Sequence, residues 1–262
     1  MPLIEANGVV LEYQLDGPVA GSPLVLVHEL GGSIQSWDRC IPAAVEAGRR
    51  VLRYNWRGTG ASEKIRGELS IETMCQDLSA LLAALALQKP VDIAGTALGG
   101  GIVLAFAARQ PDWVRRATAS SPAIGGDSGI EDMLRSRADQ VEAEGMRAQV
   151  DISLDRSYMP QYRGDGAAFE AYRNRWIAND PGSYASHNRM LAAMDERPKL
   201  ATIARPCLIT GGGDDRLLVP SAMKEIADRI PGAEFRNLAT GHFLAVNTPD
   251  VWAAEVLPWL NG

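Results

Sequence analysis

Val91-Asp92-Ile93-Ala94-Gly95-Thr96-Ala97-Leu98-Gly99-Gly100-Gly101 changes its period in the middle. An apolar run breaks at Gly95 and restarts after Gly99 with helical spacing through Ile102, Leu104, Ala105 and Ala108, which predicts a strand, a tight turn and a helix. In the pattern G-x-S-x-G, a turn of this shape lifts the middle side chain above a sheet. There the helix N-terminus and backbone N–H groups can stabilise an oxyanion. Here the middle residue is Ala97, and a methyl group cannot attack a carbonyl. A glycine cluster can also serve close packing of helix on strand. A dinucleotide site fits less well, because the G-x-G-x-x-G spacing is absent and no acidic ribose ligand ends an obvious next strand.

Outward from this turn the chain alternates. Ile4 to Ala6 and Val9 to Tyr13 flank Asn7-Gly8, a hairpin signal. Leu24 to Val27 is a continuous apolar run, as in a strand buried on both faces. A helix over Trp37 to Ala47, a strand over Val51 to Tyr54 and an amphipathic helix over Ile71 to Leu87 follow, and Val114 to Ala119 is the strand after the turn. Between Ser121 and Leu200 the periodicity is helical, with segments Ile130 to Glu144, Met146 to Leu154, Ala167 to Ile177 and Tyr184 to Met194, which reads as an insertion. Alternation resumes with Cys207 to Thr210, Ser221 to Ile230, Ala233 to Leu238 and a last helix over Val251 to Leu260. The expected fold is α/β, a mostly parallel twisted sheet of about eight strands with helices on both faces.

With 262 residues, 46% of them hydrophobic, the chain can bury one large core. A net charge of −6 with dispersed acids excludes a basic nucleic-acid footprint and points to a small-molecule partner. Cys40, Cys75 and Cys207 lack paired ligand spacing and the three histidines form no HExxH pattern, so neither metal nor other cofactor is expected. The N-terminus lacks a charged region followed by an apolar stretch, and no apolar run is long enough to span a bilayer, so a cytoplasmic protein without membrane contact is expected.

In an open parallel sheet ligands collect beyond the carboxyl ends of the strands. His28 to Gly32, the turn at Ala97, Gly211 to Asp215 and Gly241-His242 all fall there. Their order gives a nucleophile position at 97, an acid at 214 or 215 and a histidine at 242, the order Ser, Asp, His with alanine in place of serine.

On these residues the chain resembles the α/β-hydrolase-fold proteins over essentially its whole length. Leu26-Val27-His28 with Leu30-Gly31-Gly32-Ser33 and Trp37-Asp38 resembles the family's oxyanion-loop segment. Tyr54-Asn55-Trp56-Arg57-Gly58-Thr59-Gly60-Ala61-Ser62 resembles its Y-D-x-R-G-x-G-x-S loop. The insertion, with Glu144-Gly145-Met146, Tyr172-Arg173, Tyr184 and Leu191 to Asp195, is most similar to the cap of 3-oxoadipate enol-lactonases and related carbon-carbon hydrolases. The resemblance implies a core over 1–122 and 201–262 with a helical cap over 123–200. It also implies an enzyme acting on a small carbonyl, ester or lactone compound.

Residue by residue, the resemblance makes His242 of Gly241-His242-Phe243 the base and Asp215 the acid that orients it. Asp214 is the turn-forming neighbour. Leu30 and Leu98 would supply the oxyanion N–H groups. His28 would shape the oxyanion loop or touch substrate. The residue after it, glycine in the family, is Glu29, expected at the mouth of the site as a partly desolvated proton donor unless it turns away into a structural hydrogen bond. Trp176, Tyr184 and His187 lie at helical spacing with Met190 and Met194. They are packing residues of which the cap lends some to substrate, and Arg53 and Arg57 hold loops. Three readings stay open. One is a natural enzyme without serine, in which His242 and Asp215 activate water or deprotonate the substrate directly while Glu29 and the oxyanion donors stabilise developing charge, a use of the dyad that resembles the family's cofactor-free oxygenases and hydroxynitrile lyases. The second is a serine hydrolase changed to alanine at 97 to trap a substrate. The third is a ligand-binding protein on the same scaffold.

Overall fold

A computed structural model describes residues 1–125 and 128–262. One sheet organises them. In chain order the elements are β1 (Leu3–Ala6), β2 (Val9–Asp16), β3 (Ser22–Val27), α1 (Ile41–Glu46), β4 (Arg49–Asn55), α2 (Ile71–Ala84), β5 (Val91–Thr96), α3 (Leu98–Arg109), β6 (Val114–Ser120), α4 (Ser128–Glu144), α5 (Val150–Ser157), α6 (Gly166–Ile177), α7 (Pro181–Ala193), β7 (Cys207–Gly212), α8 (Pro220–Asp228), β8 (Glu234–Leu238), α9 (Leu244–Asn247), α10 (Pro249–Glu255) and α11 (Leu257–Asn261). The eight strands lie in the order β1-β2-β4-β3-β5-β6-β7-β8. The β1/β2 and β2/β4 pairs are antiparallel and the others parallel. At the first hairpin Asn7 and Gly8 both take positive φ, as a two-residue turn that follows strand twist requires.

Leu24 to Val27 have no exposed surface, which explains their unbroken apolar run: the central strand meets a helical layer on each face. On one face α2, α3 and α8 pack through Leu78, Leu82, Ile102, Phe106 and Met223. On the other, α1, α10 and α11 pack through Ala44, Trp252, Leu257 and Leu260. Between β6 and β7 the chain runs through the helical insertion α4 to α7, called the cap below, with α4 packed along α7.

Three expected helices have different bounds, each for a local reason. The segment over Trp37 to Ala47 divides into a 3₁₀ helix, Ile34–Cys40, and α1, because Pro42 suits only the first turn of a new helix. The last helix divides at Val256: Pro258 has no N–H and its ring would crowd the carbonyl four residues back. α2 stops at Ala84, and Ala86 takes φ 49° just beyond. No helix among the described residues is long and apolar enough to cross a membrane.

Candidate active site

β5 ends at Thr96 and α3 begins at Leu98, so Ala97 alone makes the turn between them, at φ 52° and ψ −118°. A non-glycine residue there is strained and persists only where its surroundings over-determine it. They do. The Ala97 N–H donates to Ser120 O at 2.9 Å, and its carbonyl accepts from Gly101 N and Ala123 N at 3.0 Å each. A methyl at Gly95 would overlap the Gly99 carbonyl, and one at Gly99 would overlap the carbonyl oxygens of Val27 and His28. These two glycines let α3 descend onto the sheet.

Above Ala97 lies a cavity of about 110 Å³ bordered by Leu30, Leu98, Trp176, Tyr184, His242 and Phe243, and by Arg137, Ser153, Arg156 and Ser157 of the cap. At Leu134, Arg137, Leu217 and His242 it meets a larger, mostly apolar groove of about 550 Å³ between α4 and α8. His242 follows β8 on a loop secured by Phe243 N donating to Asn247 Oδ1 at 3.2 Å. Its Nδ1–H donates to Asp215 Oδ2 at 2.8 Å, which leaves Nε2 as the basic atom. Asp215 Oδ1 accepts from the N–H groups of Leu217 and Leu218 at 2.8 and 3.0 Å. Burial alone would push the Asp215 carboxyl up, but the facing His242 and the hydrogen bonds from His242, Leu218 and Ser121 hold it below the usual carboxylate range. The neighbouring Asp214 is exposed and accepts from Tyr162 OH at 2.7 Å. Asp215 is therefore the acid that faces the imidazole.

Leu30 and Leu98 border the cavity, and the backbone N–H of neither is spent on a hydrogen bond among the described residues. Two unspent N–H groups beside the elbow can receive a developing oxyanion.

Other expected site residues lie elsewhere. Glu29 is not at the mouth. It is wholly buried behind the loop, where its Oε1 accepts from Ser36 Oγ at 2.6 Å and Tyr172 OH at 2.8 Å, and it does not border the cavity. His28 and His187, expected as possible substrate contacts, do not border it either. They flank Trp56 with ring centroids at 4.0 and 5.7 Å, and donate to the carbonyls of Glu29 and Arg57. Trp176 and Tyr184 do border it, edge to face at 5.2 Å. The sequence reading missed Arg137, Ser153, Arg156 and Ser157. Arg137 carried a signal, since it stands on the apolar stripe of α4 with Leu134, Ala138 and Val141.

The two buried imidazoles give a stability test. Burial lowers His28 to about 3 and His187 to about 4, against their hydrogen bonds to carbonyls. Below about pH 6.5 the unfolded chain takes up protons at both while the fold does not. Their neutral burial therefore costs nothing above 6.5 and about 1.4 kcal/mol per pH unit and histidine as pH falls toward 4. Between pH 7 and 5, His187→Gln should lose about 2 kcal/mol less unfolding free energy than the parent, read from urea midpoints. Equal losses would count against a neutral buried His187.

Comparison with known proteins follows the same lines. The profile of the family described as alpha/beta hydrolase fold matches residues 22–249. A protein of Azorhizobium caulinodans with the provisional name carbamate hydrolase RutD is 30% identical over 262 residues, covering 98% of this chain and 97% of that one. The 3-oxoadipate enol-lactonase 1 of Acinetobacter baylyi is 27% identical, covering 93% and 90%. Among solved structures, the enol-lactonase from Burkholderia xenovorans LB400 superposes with a TM-score of 0.94 at 28% identity over 100% of both chains.

Proposed function

Because the chain belongs to the α/β-hydrolase fold family, we propose that this enzyme hydrolyses a small ester, lactone or carbamate by direct attack of water, with no covalent intermediate. One observation carries the reading: the His242–Asp215 contact of 2.8 Å stands at the edge of a cavity that Ala97 also borders. The methyl group leaves free the space a nucleophilic oxygen would take, and a water there has the imidazole for a base.

His242 Nε2 takes a proton from that water as its oxygen bonds to the substrate carbonyl carbon. Charge moves to the carbonyl oxygen, which the N–H groups of Leu30 and Leu98 receive. When the tetrahedral adduct collapses, the bond to the leaving group breaks and the imidazolium returns its proton to that group. Asp215 holds the tautomer and balances the imidazolium without taking a proton. Arg137 and Arg156, with no carboxylate partner among the described residues, favour a substrate that carries negative charge. The likeness to proteins named carbamate hydrolase and enol-lactonase supports the substrate range.

The test is a panel of esters, lactones and carbamates, each with and without a free carboxylate. Turnover should proceed without a burst, and a fluorophosphonate should add no mass to the protein. In Ala97→Ser the new hydroxyl displaces the water without a matched reaction. We expect less than about a tenfold gain on 4-nitrophenyl acetate. A gain of several orders of magnitude would favour a serine hydrolase lacking its nucleophile.

A further inference from the structure

Glu29 stands where the family resemblance leads one to expect glycine, and it is wholly buried with Oε2 unpartnered. An incompletely satisfied buried carboxyl is costly, so its geometry should show what offsets it. Oε1 receives two hydrogen bonds from different parts of the molecule. Ser36 belongs to the 3₁₀ helix that continues the loop, and Tyr172 belongs to α6 of the cap, 143 residues away in sequence. Gly32 leaves the carboxyl its room, since a methyl there would overlap Oε1.

α6 and the residue two past its end grip the loop twice more. Trp176 Nε1 sits against Gly31, where any side chain would collide with the indole, and Asn179 Nδ2 donates to Gly31 O at 3.0 Å. Leu30 lies between these fastenings, with Glu29 before it and Gly31 after it. Its backbone N–H is unspent and its residue borders the cavity.

We propose that Glu29 is a positioning residue: by joining the loop to Tyr172 of α6 it makes the placement of the Leu30 N–H depend on the docked cap, so that the oxyanion donor is assembled only when the cap is seated. This rests on the reading of Leu30 as an oxyanion donor. Proton donation to substrate is not its role, because Oε1 is engaged twice and the residue does not border the cavity. Burial also pushes the carboxyl upward, against the hydrogen bonds from Ser36 and Tyr172. Glutamine keeps an acceptor oxygen that can take both of these hydrogen bonds.

The experiment compares the full-length protein with Glu29→Ala, Glu29→Gln and Tyr172→Phe. Tyr172→Phe removes one hydroxyl and keeps the test open if Glu29→Ala misfolds. Amide hydrogen exchange over residues 28–34 should quicken about tenfold in Glu29→Ala and Tyr172→Phe, with β5 unchanged, and Glu29→Gln should restore the protection. On the best-hydrolysed compound of the panel, kcat should fall about tenfold in the first two with KM within about twofold, and Glu29→Gln should recover most of it. Unchanged loop exchange in both Glu29→Ala and Tyr172→Phe would overturn the proposal. So would a loss of kcat in Glu29→Gln as large as in Glu29→Ala, the behaviour of a proton donor. If the panel yields no substrate, the hydrolytic reading fails and the exchange measurement alone decides this one.

Discussion

His242→Ala should lower kcat/KM by about 10³-fold on whichever panel compound the enzyme hydrolyses, with the melting temperature little changed. Among the described residues the imidazole is the one base bordering the cavity, and Ala97 offers no oxygen at the elbow that could attack in place of an activated water. Asp215→Asn should cost a similar factor for another reason. The amide can present its NH₂ to Nδ1, which moves the imidazole proton to Nε2 and leaves no base facing the cavity. Steady-state kinetics with both variants checks this. Near-normal kcat in His242→Ala would remove the water-attack mechanism altogether.

Gly99→Ala should cost the fold about 3 kcal/mol, the upper end of what one added methyl does to a packed core. The new carbon would overlap two backbone oxygens, those of Val27 and His28, rather than the flexible end of a side chain. Relief requires α3 to rise from the sheet or β3 to recede. Either movement displaces Leu98 N from the cavity on one side or the loop of Leu30 on the other. Activity should therefore fall beyond what the unfolded fraction explains. Urea midpoints, with kcat/KM measured well below the midpoint, check both parts. A loss under about 1 kcal/mol would mean that the contact between helix and strand is looser than these glycines indicate.

The frame was legible in the sequence because it depends on chain-local signals. Asn7-Gly8 marked a hairpin, the run Leu24 to Val27 a doubly covered strand, and the glycines around Ala97 a turn that no ordinary loop requires. That His242 and Asp215 come together could be foreseen because they follow β8 and β7, neighbouring parallel strands whose ends share one edge of the sheet. The cap was less so. Helical periodicity tells that Tyr172, Trp176, Tyr184 and His187 face inward, but not which cavity or loop they face, since that depends on how α6 and α7 seat on the sheet. Hence Trp176 and Tyr184 border the cavity while His187 lies against Trp56. Glu29 illustrates the same limit: its partner Tyr172 is contributed by a helix whose docking no local pattern encodes.

The strained turn at Ala97 carries no hydroxyl, yet its backbone is fastened by Ser120, Gly101 and Ala123 and cleared by neighbouring glycines. Its conformation is thus paid for by the scaffold and owes nothing to the side chain displayed there. Serine, cysteine or aspartate at this position would inherit the same backbone at about the same cost, since all lack glycine's tolerance of positive φ to a similar degree. The turn works as a socket. A lineage can change what is mounted in it, and with it the chemistry, without rebuilding the sheet beneath.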